Sequence, residues 1–104
     1  NNPDGAKQMG KLTAPAHLPG DVAAVWVEIN TGNTNRFDSP SFEAYCGQVA
    51  RLREAQRRVS IEGLVIADPK GNPVPHPAIQ IEKQAQAEIR AWGTKFMPRR
   101  RPGL

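Results

Sequence analysis

The stretch EGLVIADPKGNPVPHPAI, residues 62–79, decides the fold because it reverses the chain between two helical patterns. LVIA is short, apolar and rich in β-branched residues, as strands are, and DPKGN has the composition of a tight turn. PVP then predicts a short edge strand, where proline is tolerated. Gly63 suits a helix end and Pro77 suits a helix start. The stretch therefore predicts a two-stranded β-ribbon with a helix on each side.

The helix before the ribbon is the longest element that the sequence predicts. Ser39 suits an N-cap, Pro40 suits the first helical position, and the pattern continues to Gly63. The positions that keep a spacing of three and four residues are Phe42, Tyr45, Cys46, Val49, Leu52, Gln56 and Val59. Because Cys46 lies in this stripe, we interpret it as a packing residue rather than a nucleophile.

Two further helices are predicted on either side of this segment. The first runs from about Asp21 to Asn30, with its apolar stripe at Val22, Val25, Trp26 and Ile29. The last begins at Pro77 and keeps its spacing at Ala78, Ile81, Ala85, Ile89, Trp92 and Phe96. The predicted fold class is mainly α, with three helices and a β-ribbon between the second and third.

The length of 104 residues allows one domain with extra tails. Residues 1–18 are polar and rich in Gly, Pro and Asn, which predicts a flexible arm that docks only near Pro15–Leu18. Residues 19–97 form the predicted helical domain, for DNA binding and oligomerisation, and residues 98–104 form a basic tail.

Composition and motifs argue against several classes of protein. Cys46 is the only cysteine, so neither an internal disulfide nor a multi-cysteine zinc site is possible. No apolar run approaches the roughly 18 residues of a membrane helix, so we expect a soluble protein without a membrane partner. His17 and His76 have no sequence-local ligand at metal spacing. Without a phosphate loop or a nucleophile elbow, the sequence predicts no enzyme, no catalytic residue, no metal and no cofactor.

The predicted helices are long for so short a chain. The second and third would extend about 36 Å and 27 Å at 1.5 Å per residue, and their stripes require more apolar partners than the remaining residues supply. Ile61, Leu64, Val65 and Ile66 add apolar surface near the ribbon. We therefore expect a homo-oligomer; the alternative is a three-helix monomer with the ribbon folded over its end.

The net charge is +4, and the positively charged residues are clustered along the sequence. The candidate DNA-binding residues are Arg51, Arg53, Arg57, Arg58, Arg90, Lys95, Arg99, Arg100 and Arg101. They could contact phosphates without reading bases. For the helix arginines an equally good interpretation is a solvated face with pairs such as Glu54–Arg58. The dense tail triplet favours phosphate contact.

The order of these sequence segments resembles that of a known protein family. APAHL leads into a Trp-bearing helix, then come FEAYCGQVARLREA, EGLVIADPKGNPVPHPAI and a PRRR exit. Over about residues 14–101 this order resembles the small terminase subunits of tailed double-stranded DNA phages and prophages. His76 and the FMPRRR exit depart from the usual family pattern.

The resemblance implies a non-enzymatic subunit in the cytoplasm of the bacterial host. Such subunits assemble into rings, bind double-stranded viral DNA at the packaging start site, and present it to the large terminase subunit, which carries the ATPase and nuclease.

Two other functions stay open at the level of sequence. A small helix-turn-helix DNA-binding regulator needs a short turn between two helices, and the TGNTNRFDSP junction, residues 31–40, allows one. An interaction module without a nucleic-acid role would use the same arginines to bind an acidic protein.

Overall fold

A computed structural model describes residues 12–33 and 36–96. These residues form three helices and a two-stranded antiparallel sheet between the second and third, which confirms the predicted fold class. Within these ranges, each helix is too short or too polar to cross a membrane. The elements in chain order are α1 (Gly20–Asn30), α2 (Pro40–Glu62), β1 (Val65–Ala67), β2 (Pro73–Pro75) and α3 (Pro77–Ala91).

The boundaries of α2 follow its capping residues. The Phe42 N–H donates to Ser39 Oγ at 3.1 Å, and Pro40 occupies the first turn. At the other end Gly63 has a φ of 94°, a conformation that glycine adopts without a Cβ penalty, and its N–H donates to the Val59 carbonyl. The helix has 23 residues and is therefore about 35 Å long.

The α3 helix is shorter than the sequence predicts. It has 15 residues, about 22 Å, and ends at Ala91. Gly93 has a φ of 62°, and Trp92–Phe96 form turns instead of continuing the helix. The predicted apolar position at Phe96 is nevertheless buried, because the turns fold that ring back onto the core.

The α2 and α3 helices lie side by side and antiparallel. At one end, His76 before α3 contacts Glu62 at the end of α2. At the other end, the ring of Phe96 lies 5.2 Å from that of Phe42 in the first turn of α2. The two helices make the most extensive contact in the fold. Small buried side chains allow this approach: Ala50, Ala55, Ala78 and Ala85.

The main core lies where α1 crosses the first half of α2. Phe42 and Cys46 are fully buried there, and the ring of Phe37 lies 5.1 Å from that of Phe42 and 5.4 Å from that of Phe96. Offset and edge-to-face aromatic pairs stabilise a core beyond their buried area. Half-buried Leu12, which the sequence placed in the flexible arm, also packs here, so packing extends beyond the predicted docking point at Pro15.

Asn30 fastens the α1–α2 connection to this core. Its side chain is buried, and its Nδ2 donates to the Trp26 and Phe37 carbonyls at 3.0 Å each. The Phe37 N–H donates back to Asn30 Oδ1 at 2.6 Å. The two bonds to the Phe37 backbone tie the end of α1 to the connection, so this side chain sets where the connection runs.

We predict that Asn30→Ala destabilises the fold by about 2–3 kcal/mol, since it leaves buried backbone groups of Phe37 without partners. The free energy of unfolding is measured by urea denaturation at one protein concentration, because self-association would otherwise shift the midpoint.

Asn33→Ala is the matched control. The Asn33 side chain makes one bond, from Nδ2 to the Ile29 carbonyl at 3.1 Å, and its removal is expected to cost below about 1 kcal/mol. Equal destabilisation in the two variants would show that Asn30 has no special structural role.

The ribbon has the predicted turn, and the structure gives its register. Val65 pairs with Pro75, Ile66 with Val74 and Ala67 with Pro73. In the turn, Asp68 Oδ1 accepts the N–H groups of Lys70 and Asn72 at 2.9 and 2.8 Å. These bonds, led by the one from Asn72, hold the pKa of Asp68 below its usual value. Beyond the strands, the His76 N–H donates to the Leu64 carbonyl, which closes the base of the ribbon.

Candidate nucleic-acid interface

The predicted basic residues are distributed along the α2–α3 hairpin. Arg51, Arg53, Arg57 and Arg58 lie on the middle and end of α2, while Arg90 and Lys95 lie at the far end of α3 and in the turns beyond it. Because the helices are antiparallel, Lys95 lies beside the start of α2. The predicted contacts at Arg99, Arg100 and Arg101 lie outside the described residues.

Arg53 joins two helices. Its Nη1 and Nη2 donate to the two carboxylate oxygens of Glu28 on α1, each at 2.7 Å. The hydrogen bond from Arg53 lowers the pKa of Glu28. The pair is half-exposed, and such pairs contribute little to stability. Its planar two-bond geometry instead orients the guanidinium toward α1.

Arg57 and Arg58 share one carboxylate on their own helix. Arg57 donates to both oxygens of Glu54, at 2.9 and 2.7 Å, and Arg58 Nε donates at 2.9 Å. These bonds, first from Arg57 and then from Arg58, lower the pKa of Glu54 to about 2. The Glu54–Arg58 pair considered from the sequence is therefore present. All three side chains are largely exposed, so a phosphate could still displace the carboxylate.

Three of the predicted cations lie more than 4 Å from every carboxylate in the described ranges: Arg51, Arg90 and Lys95. Lys70 in the ribbon turn and Lys83 on α3, outside the predicted set, share this property. The Lys95 ammonium instead lies 5.6 Å from the centre of the Trp92 ring and 5.4 Å from that of Phe96. Cation–π contact of this kind positions a charge without neutralising it.

Arg36 was missed by the sequence interpretation. Its guanidinium carbon lies 5.1 Å from the centre of the Trp26 ring, and among the described residues no carboxylate pairs with it. Through the contact between Phe37 and Phe96, Arg36 and Lys95 belong to the same aromatic end of the molecule. The only available signal was a lone arginine beside Phe37 in the α1–α2 connection, which spacing rules do not single out.

His76 is a structural residue. Its ring is buried, Nδ1 accepts the Ala78 N–H at 2.9 Å as the cap of α3, and Nε2 lies 2.6 Å from Glu62 Oε1. Since Nδ1 accepts a hydrogen bond, Nε2 carries the ring proton and donates a hydrogen bond to Glu62. In residues 12–33 and 36–96, no three His, Cys, Asp or Glu side chains are placed to hold a metal.

A groove of about 940 Å³ runs along one side of α2. It is bounded by the start of α1, by the start of α3 and by Ile66 of the ribbon. Its lining includes the small residues Ala44, Gly47 and Ala55 and the larger apolar residues Val22 and Ile81. Arg51 and Arg58 line the groove from one side of α2, as their helical spacing predicts. Asp21 and Glu54 line it as well, so acidic and basic side chains are balanced there. The sequence interpretation missed this groove.

The Cys46 thiol cannot act as a nucleophile in this fold. Its side chain is 0% exposed, and burial raises its pKa to about 12. The reactive species is the thiolate, which is both inaccessible and scarce here. The interpretation of Cys46 as a packing residue is confirmed by its place in the core.

We therefore predict that the native protein does not react with Ellman's reagent at mildly alkaline pH, and that guanidinium chloride releases one reactive thiol per chain. Absorbance of the released thionitrobenzoate measures both. Immediate reaction of the native protein would contradict the burial of Cys46.

Comparison with known proteins gives a family match. A family model described as phage terminase, small subunit, matches residues 24–98, from the middle of α1 through α2, the ribbon and α3 into the tail. Searches of the curated proteins and of the solved structures gave no significant match.

Proposed function

This chain belongs to the phage terminase small-subunit family and so has a role in phage DNA packaging, and from this premise we propose how it performs that role. It binds double-stranded DNA as a ring-shaped homo-oligomer and presents the DNA to the large terminase subunit. It acts in the cytoplasm of the bacterial host as an adaptor and catalyses no reaction itself.

The observation that carries the DNA-binding proposal is the set of cations at the aromatic end. Arg36 and Lys95 lie on aromatic rings without a carboxylate among the described residues. The sequence that follows Phe96 continues with Arg99, Arg100 and Arg101. A cation without an internal partner can meet a phosphate without first breaking an ion pair. Two such cations at one end, with three more arginines in the sequence that follows, favour contact with a polyanionic backbone.

This arrangement favours phosphate contact over base reading. The described cations at the aromatic end, Arg36 and Lys95, come from the α1–α2 connection and from the turns after α3. Base reading in the major groove instead requires several polar side chains on one inserted element. A ring would repeat each weak phosphate contact once per subunit, and avidity would then supply the affinity.

The connections between the helices argue against a helix-turn-helix regulator. That motif joins two helices at roughly 90–120° through a turn of 3–4 residues. Here residues 63–76, including the ribbon, separate α2 from α3, and those helices are antiparallel. Nine residues, 31–39, separate α1 from α2.

Exposed apolar side chains support self-assembly. Ile61 is 69% exposed, Leu64 is 64% exposed and Val65 is 60% exposed, all where α2 meets the ribbon. Clusters of this kind on a soluble protein commonly mark a contact surface. The ribbon does not fold over this end of the helices to cover them, as a self-sufficient monomer would require.

The DNA-binding proposal is tested by changing Arg99, Arg100 and Arg101 together to Ala. We expect weaker binding to a double-stranded fragment, measured by fluorescence anisotropy over a range of salt concentrations. The slope of log K against log[salt] should become shallower by about 0.9 for each phosphate that the variant no longer neutralises. The native mass should not change, since the tail is proposed to contact DNA and not the neighbouring subunit.

The matched control removes charge elsewhere. Lys70→Ala with Lys83→Ala takes two exposed cations from the ribbon turn and from α3, outside the predicted set. Affinity and slope should stay close to those of the unmodified chain. A chain with no salt-dependent DNA binding would refute the proposal. Weakening of the two variants in proportion to the charges removed, three against two, would show that net charge alone explains the effect.

A further inference from the structure

Three of the arginines on α2 bind carboxylates inside the molecule. Arg53 donates from both terminal nitrogens to the two oxygens of Glu28 on α1, each at 2.7 Å. Arg57 donates to both oxygens of Glu54 on its own helix, and Arg58 donates to one of them. Most of the positive charge that the sequence places on α2 is therefore matched by negative charge within the fold.

These carboxylates occupy the guanidinium groups in the way that a phosphate would. Arg53 and Arg57 each direct two N–H groups at the two oxygens of one anion, and the same fork binds two phosphate oxygens. The bonds from Arg57 and then from Arg58 hold the pKa of Glu54 at about 2, so this carboxylate is ionised at neutral pH. A phosphate that approaches these arginines therefore meets an anion already in place.

The cations at the aromatic end have no such competitor in the part of the chain that the structure describes. Arg36 lies 5.1 Å from the centre of the Trp26 ring, and Lys95 lies 5.4 Å from that of Phe96. Neither has a described carboxylate within 4 Å. An aromatic ring positions a cation without neutralising it. The two groups of cations thus differ in what a phosphate must displace.

We infer that Glu54 and Glu28 act as internal competitors of the DNA backbone, Glu54 for Arg57 and Arg58 and Glu28 for Arg53. While these carboxylates are in place, the arginines of α2 add little to the phosphate contact, and the contact is made mainly by the aromatic end. The inference rests on the proposed DNA binding and assigns which part of the basic surface makes it.

The exposure of the pairs sets the size of the effect. The side chain of Glu28 is 57% exposed and that of Glu54 is 45% exposed. An exposed ion pair changes an equilibrium by only about 1.5- to 5-fold. The carboxylates therefore weaken the contact of α2 with DNA without abolishing it, and their removal should strengthen that contact measurably.

Glu54→Gln is the decisive variant. Gln is as good a helix former as Glu, but its neutral amide leaves both guanidinium groups with their charge. Because two arginines are released at once, we expect binding to a double-stranded fragment to be about three- to tenfold tighter than in the control, as measured by fluorescence anisotropy. The slope of log K against log[salt] should become steeper by about 0.9 for each additional phosphate that is neutralised.

Glu88→Gln is the matched control. Glu88 is an exposed carboxylate on α3, and no cation among the described residues lies within 4 Å of it. Its loss changes the net charge by the same amount but releases no arginine, so the affinity should rise little and the slope should stay. Glu28→Gln is a second test variant. It releases Arg53 alone and should give a smaller gain than Glu54→Gln.

A triple variant shows whether the released arginines account for the gain. When Glu54→Gln is combined with Arg57→Ala and Arg58→Ala, the extra affinity and the steeper slope should both disappear. The three exposed positions lie on one helix, and far-UV circular dichroism checks that this helix is kept.

Two results would overturn the inference and leave the proposed function standing. In the first, Glu54→Gln gains no more affinity than Glu88→Gln and keeps the same slope, so that net charge explains both. In the second, the gain survives the loss of Arg57 and Arg58. If neither the unmodified chain nor any variant binds DNA in a salt-dependent way, the proposed function fails and this inference fails with it.

Discussion

The antiparallel pairing of α2 and α3 is the constraint on which the rest of the structure depends. Two different interactions hold its ends: the buried His76, which caps α3 and donates to Glu62, and the Phe96 ring, which packs on Phe42. Between them, buried alanines such as Ala55 and Ala85 leave no bulky side chain to separate the helices. A seam of small residues buries little area per residue, so the hairpin relies on its ends for alignment. This explains why so many prolines flank the reversal: each fixes a backbone angle and leaves the unfolded chain less entropy to lose.

The two ends of the α2–α3 hairpin differ in the side chains that they expose. Large aromatic residues gather only at the open end of the hairpin, where α1 crosses α2. The closed end has no such cover, and Ile61, Leu64 and Val65 stay exposed there. Burying side chains of this size is worth about 1.5–3 kcal/mol each, which the chain gains only when a second molecule covers them. At the open end, Arg36 and Lys95 rest on aromatic rings and keep their charge. One end of the subunit is therefore suited to apolar association and the other to polyanion contact.

The sequence predicted those parts of the fold that depend on local rules. Ser39, Pro40, Gly63 and Pro77 act through the backbone of their immediate neighbours, and the boundaries they predicted are observed. The end of α3 was wrong, because Phe96 continues the apolar spacing although its burial comes from a turn at Gly93. Asn30 was missed as a buried clamp, since its partners in the Phe37 backbone are seven residues away across an irregular connection.

For the candidate site, the density of positive charge in the sequence located the arginines of α2, but only the tertiary structure shows that Arg53 binds Glu28 across helices. Whether the predicted cations contact DNA stays a prediction.

Because the apolar end and the basic end of the subunit are separate, the affinity of an assembly for DNA would depend on how the subunits are spaced. Each phosphate contact that a single subunit makes is weak at moderate salt. If apolar contacts set the spacing of the subunits, the basic ends of all subunits lie at equal heights and equal intervals. The effective concentration of the second cation cluster is then set by the assembly and not by diffusion. In such an assembly, the proposed DNA binding and self-association would be coupled without any shared residue: the apolar contacts would determine how many cations meet the DNA at once, and the cations would determine how steeply that contact depends on salt.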